Sequence, residues 1–312
     1  MEKIAFLFPG QGSQKVGMGK DFCAEFDAAR EVYQQADQLL DFSLSSLSFQ
    51  GPEEKLGQTE YTQPAVLTAS WAISRVLEEE YGLQPTHAAG HSLGEYTALL
   101  QAGSLDFPSA LQLVQIRGRL MEEAYPAGQG TMAAIIALQR EEVNRICEQL
   151  KEQGVVVPAN FNCPGQVVIS GSKEAVERAA ELAEEEGARR VIFLKVSGPF
   201  HSPLMQEAAD KYGQKIEATT FREPGIEVVA NATGGLVSTV AEIKKALIQQ
   251  LTATVKWEDS MRLLVNRGVD TLIEVGPGEV LKGLMRRIDR KPRILNVEDP
   301  ASLQKTIEEL DL

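Results

Sequence analysis

Apolar positions in the first hundred residues fall into two kinds of run. "KIAFLF" (3–8) is nearly continuous and stops at "PGQGSQ", as a buried strand does on meeting a glycine-rich loop. From "TQPA" the spacing becomes helical through "VLTASWAISRVLEEEY", predicting a helix with Pro64 in its first turn and Gly82 as its stop. "THAAGH" reads as a short buried strand, and "LGEYTALLQAG" as the helix after it. Helices also fit "FPSALQLVQIRGRLMEEA" and "VAEIKKALIQQL", while strands return at "GIEVVAN" and "DTLIEVGPG". Alternating strands and helices predict an α/β architecture, a largely parallel sheet covered on both faces.

The middle of the chain follows another order. "TMAAIIAL" is a strand, "REEVNRICEQLKEQG" a helix, and "VVVPANFN" and "QVVISGS" are strands joined by "CPG"; "KEAVERAAELAEEEG" and "RRVIFLKV" add a helix and a strand. This β-α-β-β-α-β order is that of a ferredoxin-like unit. Breakers flank it, "YPAGQG" before and "SGPFHSP" after. The expected organisation is a small domain, 128–198, inserted into a large α/β domain formed by 1–127 and 199–312.

The 312 residues suffice for both cores. The run "IAFLF" is too short for a membrane span or a signal-peptide core. The three cysteines, Cys23, Cys147 and Cys163, include no close pair, which disfavours a disulfide framework or a cysteine metal site and suits a cytoplasmic protein. A net charge of −13 argues against nucleic-acid binding. An anionic partner would need a local patch, and "KGLMRR" (Lys282, Arg286, Arg287) or "ARR" (Arg189, Arg190) could supply it; each is equally a solvated helix end.

The chemistry centres on "AAGHSLGEY", a G-x-S-x-G sequence between a strand and a helix. The glycines suit a tight turn, and the helix N-terminus offers N–H groups to a developing oxyanion. The alternative is an inert glycine-rich turn. A nucleophilic Ser92 needs a base, and the chain has three histidines. His91 is adjacent, so its side chain points away, and His87 lies beneath the elbow. That leaves His201, hemmed by prolines where the small domain rejoins the large one. Arg117 shares a helical stripe with Ala110, Leu113, Leu120 and Ala124, so it is expected on the apolar face. A buried arginine needs an anion: either a core Asp or Glu, or a substrate carboxylate held by its two-pronged guanidinium. A serine esterase or thioesterase would share Ser92 and His201 but not a carboxylate clamp. A non-catalytic docking module would need neither.

Several motifs together resemble one family: "FPGQGSQ", "TQPA", "GHSLGEY", "IRGRLM", "NFNCPGQVVISG", "FHSPLM", "QQL…VKW" and "EVGPG". The chain is similar over nearly its whole length to the malonyl-CoA:acyl-carrier-protein transacylases of fatty acid synthesis and the acyltransferase domains of polyketide synthases. The resemblance implies an α/β-hydrolase-like large domain and transfer of malonyl from malonyl-CoA to acyl carrier protein through a malonyl-serine. It implies Ser92 as nucleophile, His201 as base, and the N–H groups of Gln11 and Leu93 as the oxyanion hole. It further implies Arg117 and Gln63 around the malonyl carboxylate, and the main-chain carbonyl of Gln250 orienting His201. Asn160, Asn162 and His91 are expected along the cleft, with satisfaction of turn backbone as the other reading for the asparagines. Leu93 and Phe200 resemble malonyl-selecting members. The remaining expectations are a monomer, no membrane association, no metal and no cofactor beyond the thioester substrate.

Overall fold

A computed structural model gives the structure of residues 3–126 and 128–312. The strands, in chain order, are β1 (Ile4–Phe8), β2 (His87–Gly90), β3 (Gly130–Ile136), β4 (Val156–Cys163), β5 (Gln166–Ser172), β6 (Arg190–Phe193), β7 (Glu227–Ala230), β8 (Gly235–Val237), β9 (Thr271–Val275) and β10 (Arg293–Val297). The six-stranded sheet runs β10-β9-β1-β2-β7-β8, parallel except for the edge strand β8, which is antiparallel to β7. Its central strands are buried almost throughout, β1 as an uninterrupted apolar run and β2 and β9 as mostly apolar ones. The second sheet runs β4-β5-β3-β6 with every neighbour antiparallel, and carries the helices Arg140–Gln149 and Lys173–Glu185. That is the expected ferredoxin-like connectivity. The expected division at 127/128 falls on a position outside the described residues.

The small sheet is tied at β4 to the segment that precedes the helix Trp257–Asn266. The Phe161 N–H donates to the Val255 carbonyl at 2.9 Å, and the Val255 N–H to that of Ala159 at 2.8 Å. Strand β6 stops at Phe193, short of the expected "LKV", and Leu194 and Val196 turn into the cleft between the sheets.

Three further departures from expectation concern placement. The helix expected from "TQPA" starts earlier, Thr59–Tyr81, so Pro64 lies inside it. The bond Pro64 forfeits would go to the Glu60 carbonyl in the partly exposed first turn, where its loss is tolerated. Helices at Lys20–Glu25, Asp27–Leu39, Leu44–Gln50 and Glu53–Leu56 cover one flank, where the sequence reading named no element. β10 extends the large sheet beyond the strands read from sequence. Among the described residues no helix is long and apolar enough to cross a membrane.

Candidate active site

β2 ends beside β1, with Gly90 in register with Phe8, and the chain then turns sharply into the helix Gly94–Gln101. Ser92 sits in the left-handed region, φ 50°. Gly90 and Gly94 do not; their role is close approach, which corrects the expectation that they supply turn flexibility. A Cβ on Gly90 would lie 1.9 Å from the carbonyl carbon of Gly94, and one on Gly94 2.1 Å from the Phe8 carbonyl oxygen. The glycines let helix and strand touch, and the strain falls on the serine itself. Asn231, at the end of β7, secures the turn: its Oδ1 accepts the Ser92 N–H at 2.6 Å, and its Nδ2 donates to the Gly90 carbonyl at 2.7 Å.

Ser92 Oγ and His201 Nε2 are 2.8 Å apart. His201 Nδ1 lies 2.7 Å from the main-chain oxygen of Gln250, the last residue of the helix Val240–Gln250. A carbonyl can only accept, so Nδ1 carries the proton and Nε2 is left to accept the serine hydroxyl. That carbonyl is one of the last-turn groups a helix leaves unpaired, at its negative end. His201 is 4% exposed, and burial first, then the Arg117 charge, pushes its pKa down to about 3. The ring is neutral at physiological pH.

Arg117 lies on the helix Phe107–Glu123 and is 1% exposed. Next to it, Gly118 lets this helix pack tightly on Thr59–Tyr81, since a Cβ there would meet the Thr59 carbonyl at 2.7 Å. Gln63 is thereby brought to Arg117, whose Nη1 donates to Gln63 Oε1 at 2.9 Å. Nη2 donates to Gln250 Oε1 at 2.7 Å and to Ser92 Oγ at 3.1 Å, while Nε is buried without a partner among the described residues. No carboxylate pairs with the guanidinium among the described residues, so the core salt bridge left open by the sequence is not made.

The rest of the lining comes from three sides around a cleft of about 250 Å³. Gln11 and Leu93 line it, and neither main-chain N–H is engaged by an acceptor among the described residues. Asn160 and Asn162 line it from β4, in a strand rather than a turn. Asn162 Oδ1 lies 2.9 Å from His91 Nε2, and the His91 ring packs against Trp257 at 5.4 Å, so His91 faces away from Ser92 Oγ. His87 is remote, held between Thr86 and Glu227. Phe200 lines the cleft, as do Val280, Leu281 and Leu284 of the helix Val280–Ile288. In the basic patch, Lys282 is largely buried against Asn296 and Glu279, which removes it from the expected docking group; Arg286, Arg287, Arg189 and Arg190 are exposed. Among the described residues no three His, Cys, Asp or Glu side chains are arranged to hold a metal ion.

Asn231, Glu95 and the Gln250 side chain were not singled out from the sequence. Glu95 is the most instructive, because a carboxylate at the start of a helix ordinarily faces solvent, whereas here it lies under the elbow.

Residues 5–302 match the acyl transferase domain family. The chain is 45% identical to the malonyl CoA-acyl carrier protein transacylase of Bacillus subtilis over 99% of its own length and 98% of that protein. The corresponding Escherichia coli K12 protein is 44% identical, covering 99% and 100%. An acyl carrier protein S-malonyltransferase structure from Vibrio cholerae superposes with a TM-score of 0.95 at 45% identity, covering 98% and 100%. A type II PKS acyl-carrier protein complexed with its malonyl-transacylase gives 0.96 at 44%, covering 99% and 100%. The chain belongs to the acyl transferase family and, within it, to the malonyl-CoA:acyl-carrier-protein transacylases.

Proposed function

We propose that Ser92 accepts malonyl from malonyl-CoA as an ester and passes it to the phosphopantetheine thiol of an acyl carrier protein. The observation that carries this reading is Arg117: a buried cation with no carboxylate partner among the described residues, 3.1 Å from Ser92 Oγ. A pocket for an uncharged acyl group would not turn unused guanidinium donors towards it, whereas an acyl group ending in a carboxylate takes them up. The free Nε and the exchangeable Nη2 bonds leave donors for a two-pronged grip.

In the first half-reaction His201 Nε2 takes the hydroxyl proton as Ser92 Oγ adds to the thioester carbon. The oxyanion is received by the N–H groups of Leu93 and Gln11. The carbon–sulfur bond then breaks, and the departing sulfur takes the proton from Nε2. In the second, the carrier thiol gives its proton to Nε2 as its sulfur attacks the ester, and Ser92 Oγ leaves with that proton. No cofactor beyond the thioester enters these steps. The Gln250 carbonyl holds the ring throughout, in the role usually given to a carboxylate. Arg286 and Arg287, on the far turn of the helix whose first turn lines the cleft, suit an acidic carrier.

Intact-protein mass after brief exposure to malonyl-CoA tests the reading, with Ser92→Ala alongside and pantetheinylated carrier added afterwards. The expected adduct requires Ser92, survives in water and moves to the carrier. An adduct that decays to free malonate without moving, or none, would overturn the reading in favour of a hydrolase.

A further inference from the structure

Of the two acids buried among the described residues, Glu274 and Glu95, it is Glu95 that lies under the Ser92 elbow, and the proposed steps give it no role. Glu95, 2% exposed in the first turn of Gly94–Gln101, accepts two N–H groups on Oε2: the Asn231 main chain at 3.0 Å and Gln250 Nε2 at 2.7 Å. Each partner also grips Ser92. Asn231 holds its N–H, and Gln250 Nε2 donates to its carbonyl at 2.9 Å. The other end of the same Gln250 amide, Oε1, takes Arg117 Nη2 at 2.7 Å. One neutral amide therefore stands between a buried carboxylate and a buried guanidinium, and no ion pair joins them directly among the described residues.

This spacing has a physical consequence. A carboxylate touching Arg117 would occupy the donors that a substrate needs. Through the amide, it polarises Gln250 Oε1 and offsets the guanidinium charge while leaving Nε and the second hydrogen of Nη1 open. A carboxylate so placed also repels a second carboxylate arriving on the far side of Arg117.

We propose that Glu95 is the counter-charge of the carboxylate clamp, a positioning residue that acts on Arg117 through the Gln250 amide and tempers the preference for malonyl over uncharged acyl groups. This rests on the malonyl-transfer reading above. Glu95→Gln preserves shape and removes the charge. It takes a repulsion away from malonyl and nothing away from acetyl, so the ratio of the two acylation rates rises even if both rates fall.

The experiment uses wild type, Glu95→Gln, Arg117→Met and the double variant at about pH 8, above the value of about 7 to which burial raises the Glu95 carboxyl. Single-turnover acylation of Ser92 by malonyl-CoA and by acetyl-CoA gives the ratio; thermal unfolding gives the coupling. Glu95→Gln should raise the malonyl-to-acetyl ratio roughly tenfold, the scale of one unit charge acting across such a site. An unchanged ratio would show that Glu95 only braces the loop, and overturns the proposal. In melting, the double variant should lose clearly less than the sum of the single losses, because each single leaves one charge buried alone; additive losses overturn it. If Glu95→Gln alone does not fold, the double variant must recover folded protein, and its failure to do so also overturns the proposal. Failure of the malonyl reading would appear separately, as absence of a wild-type adduct, and the melting comparison would still decide the charge pairing.

Discussion

Truncating Arg117 to alanine separates selectivity from catalysis. In the free protein the guanidinium makes three hydrogen bonds to uncharged acceptors, Gln63 Oε1, Ser92 Oγ and Gln250 Oε1, and keeps Nε idle. In the proposed clamp, a substrate carboxylate replaces bonds to neutral acceptors, at the low end of the roughly 1.5–3 kcal/mol range for hydrogen bonds to charged groups, with ion-paired ones at its high end. Over two bonds the gain is about 3 kcal/mol, or roughly a hundredfold. An acetyl group gains nothing and leaves a methyl beside the guanidinium. Arg117→Ala should therefore lower kcat/KM for Ser92 malonylation roughly 10²- to 10³-fold, while the malonyl-to-acetyl ratio falls towards one. Rapid-quench mass spectrometry of the adduct, with either thioester in excess, measures both rates. If malonyl and acetyl rates fall by the same factor, Arg117 acts only through its bond to Ser92 Oγ, and the clamp is refuted.

Asn231→Ala strips the Ser92 N–H and the Gly90 carbonyl of buried partners; the cost should be about 2–3 kcal/mol of stability in denaturant melts, with malonyl and acetyl acylation slowed alike. An unchanged melting midpoint would count against Asn231 as the brace of the elbow. Glu274, at the end of β9, accepts the Leu281 and Lys282 N–H groups that begin the cleft-lining helix, yet burial raises its carboxyl from 4.5 to about 7. A folded-state value above the unfolded one favours the protonated form in the native state, so its contribution is complete at low pH and lost as pH rises through this window. Against the non-titrating Glu274→Gln, wild type should lose about 3 kcal/mol of relative stability between about pH 4.5 and 7; a flat difference would refute the assignment.

Much of this architecture is legible because burial on both faces leaves an unmistakable mark. "IAFLF" and "TLIEV" have no polar-out alternation to confuse, so β1 and β9 read directly. The helix Asp27–Leu39 was invisible for the opposite reason. Its core stripe of Ala28, Ala29, Val32, Tyr33 and Ala36 is mostly alanine, whose contrast with polar neighbours is slight. Around the site, placing Arg117 on an apolar stripe required only helical periodicity, and pairing His201 with Ser92 only elimination among three histidines. What stayed hidden depends on long-range meetings. Glu95 reaches Asn231 and Gln250 across 136 and 155 residues of chain, and no local pattern marks such partners. Nor could the sequence assign the strain, which φ values of 50° at Ser92 and 57° at His201 place on the hydrogen-bonded serine and histidine rather than on Gly90 and Gly94.

The same arginine bears on the strength of the base. With its pKa pushed down to about 3, His201 is an empty acceptor at neutral pH but a weak holder of the proton that Ser92 must release. Arg117 contributes to both difficulties: its charge opposes an imidazolium, and its Nη2 occupies a lone pair of Ser92 Oγ. In the proposed mechanism a malonyl carboxylate on the guanidinium relieves the two together, so the substrate strengthens the base that activates its attacker. An acetyl group relieves neither, and discrimination then resides in the chemical step as well as in binding. This gives a physical reason for orienting His201 with a neutral carbonyl. A buried aspartate on Nδ1 would stabilise the imidazolium whatever the acyl group, and acetyl would share the benefit. The Gln250 carbonyl fixes the tautomer at 2.7 Å and leaves the missing charge to be brought by the correct substrate.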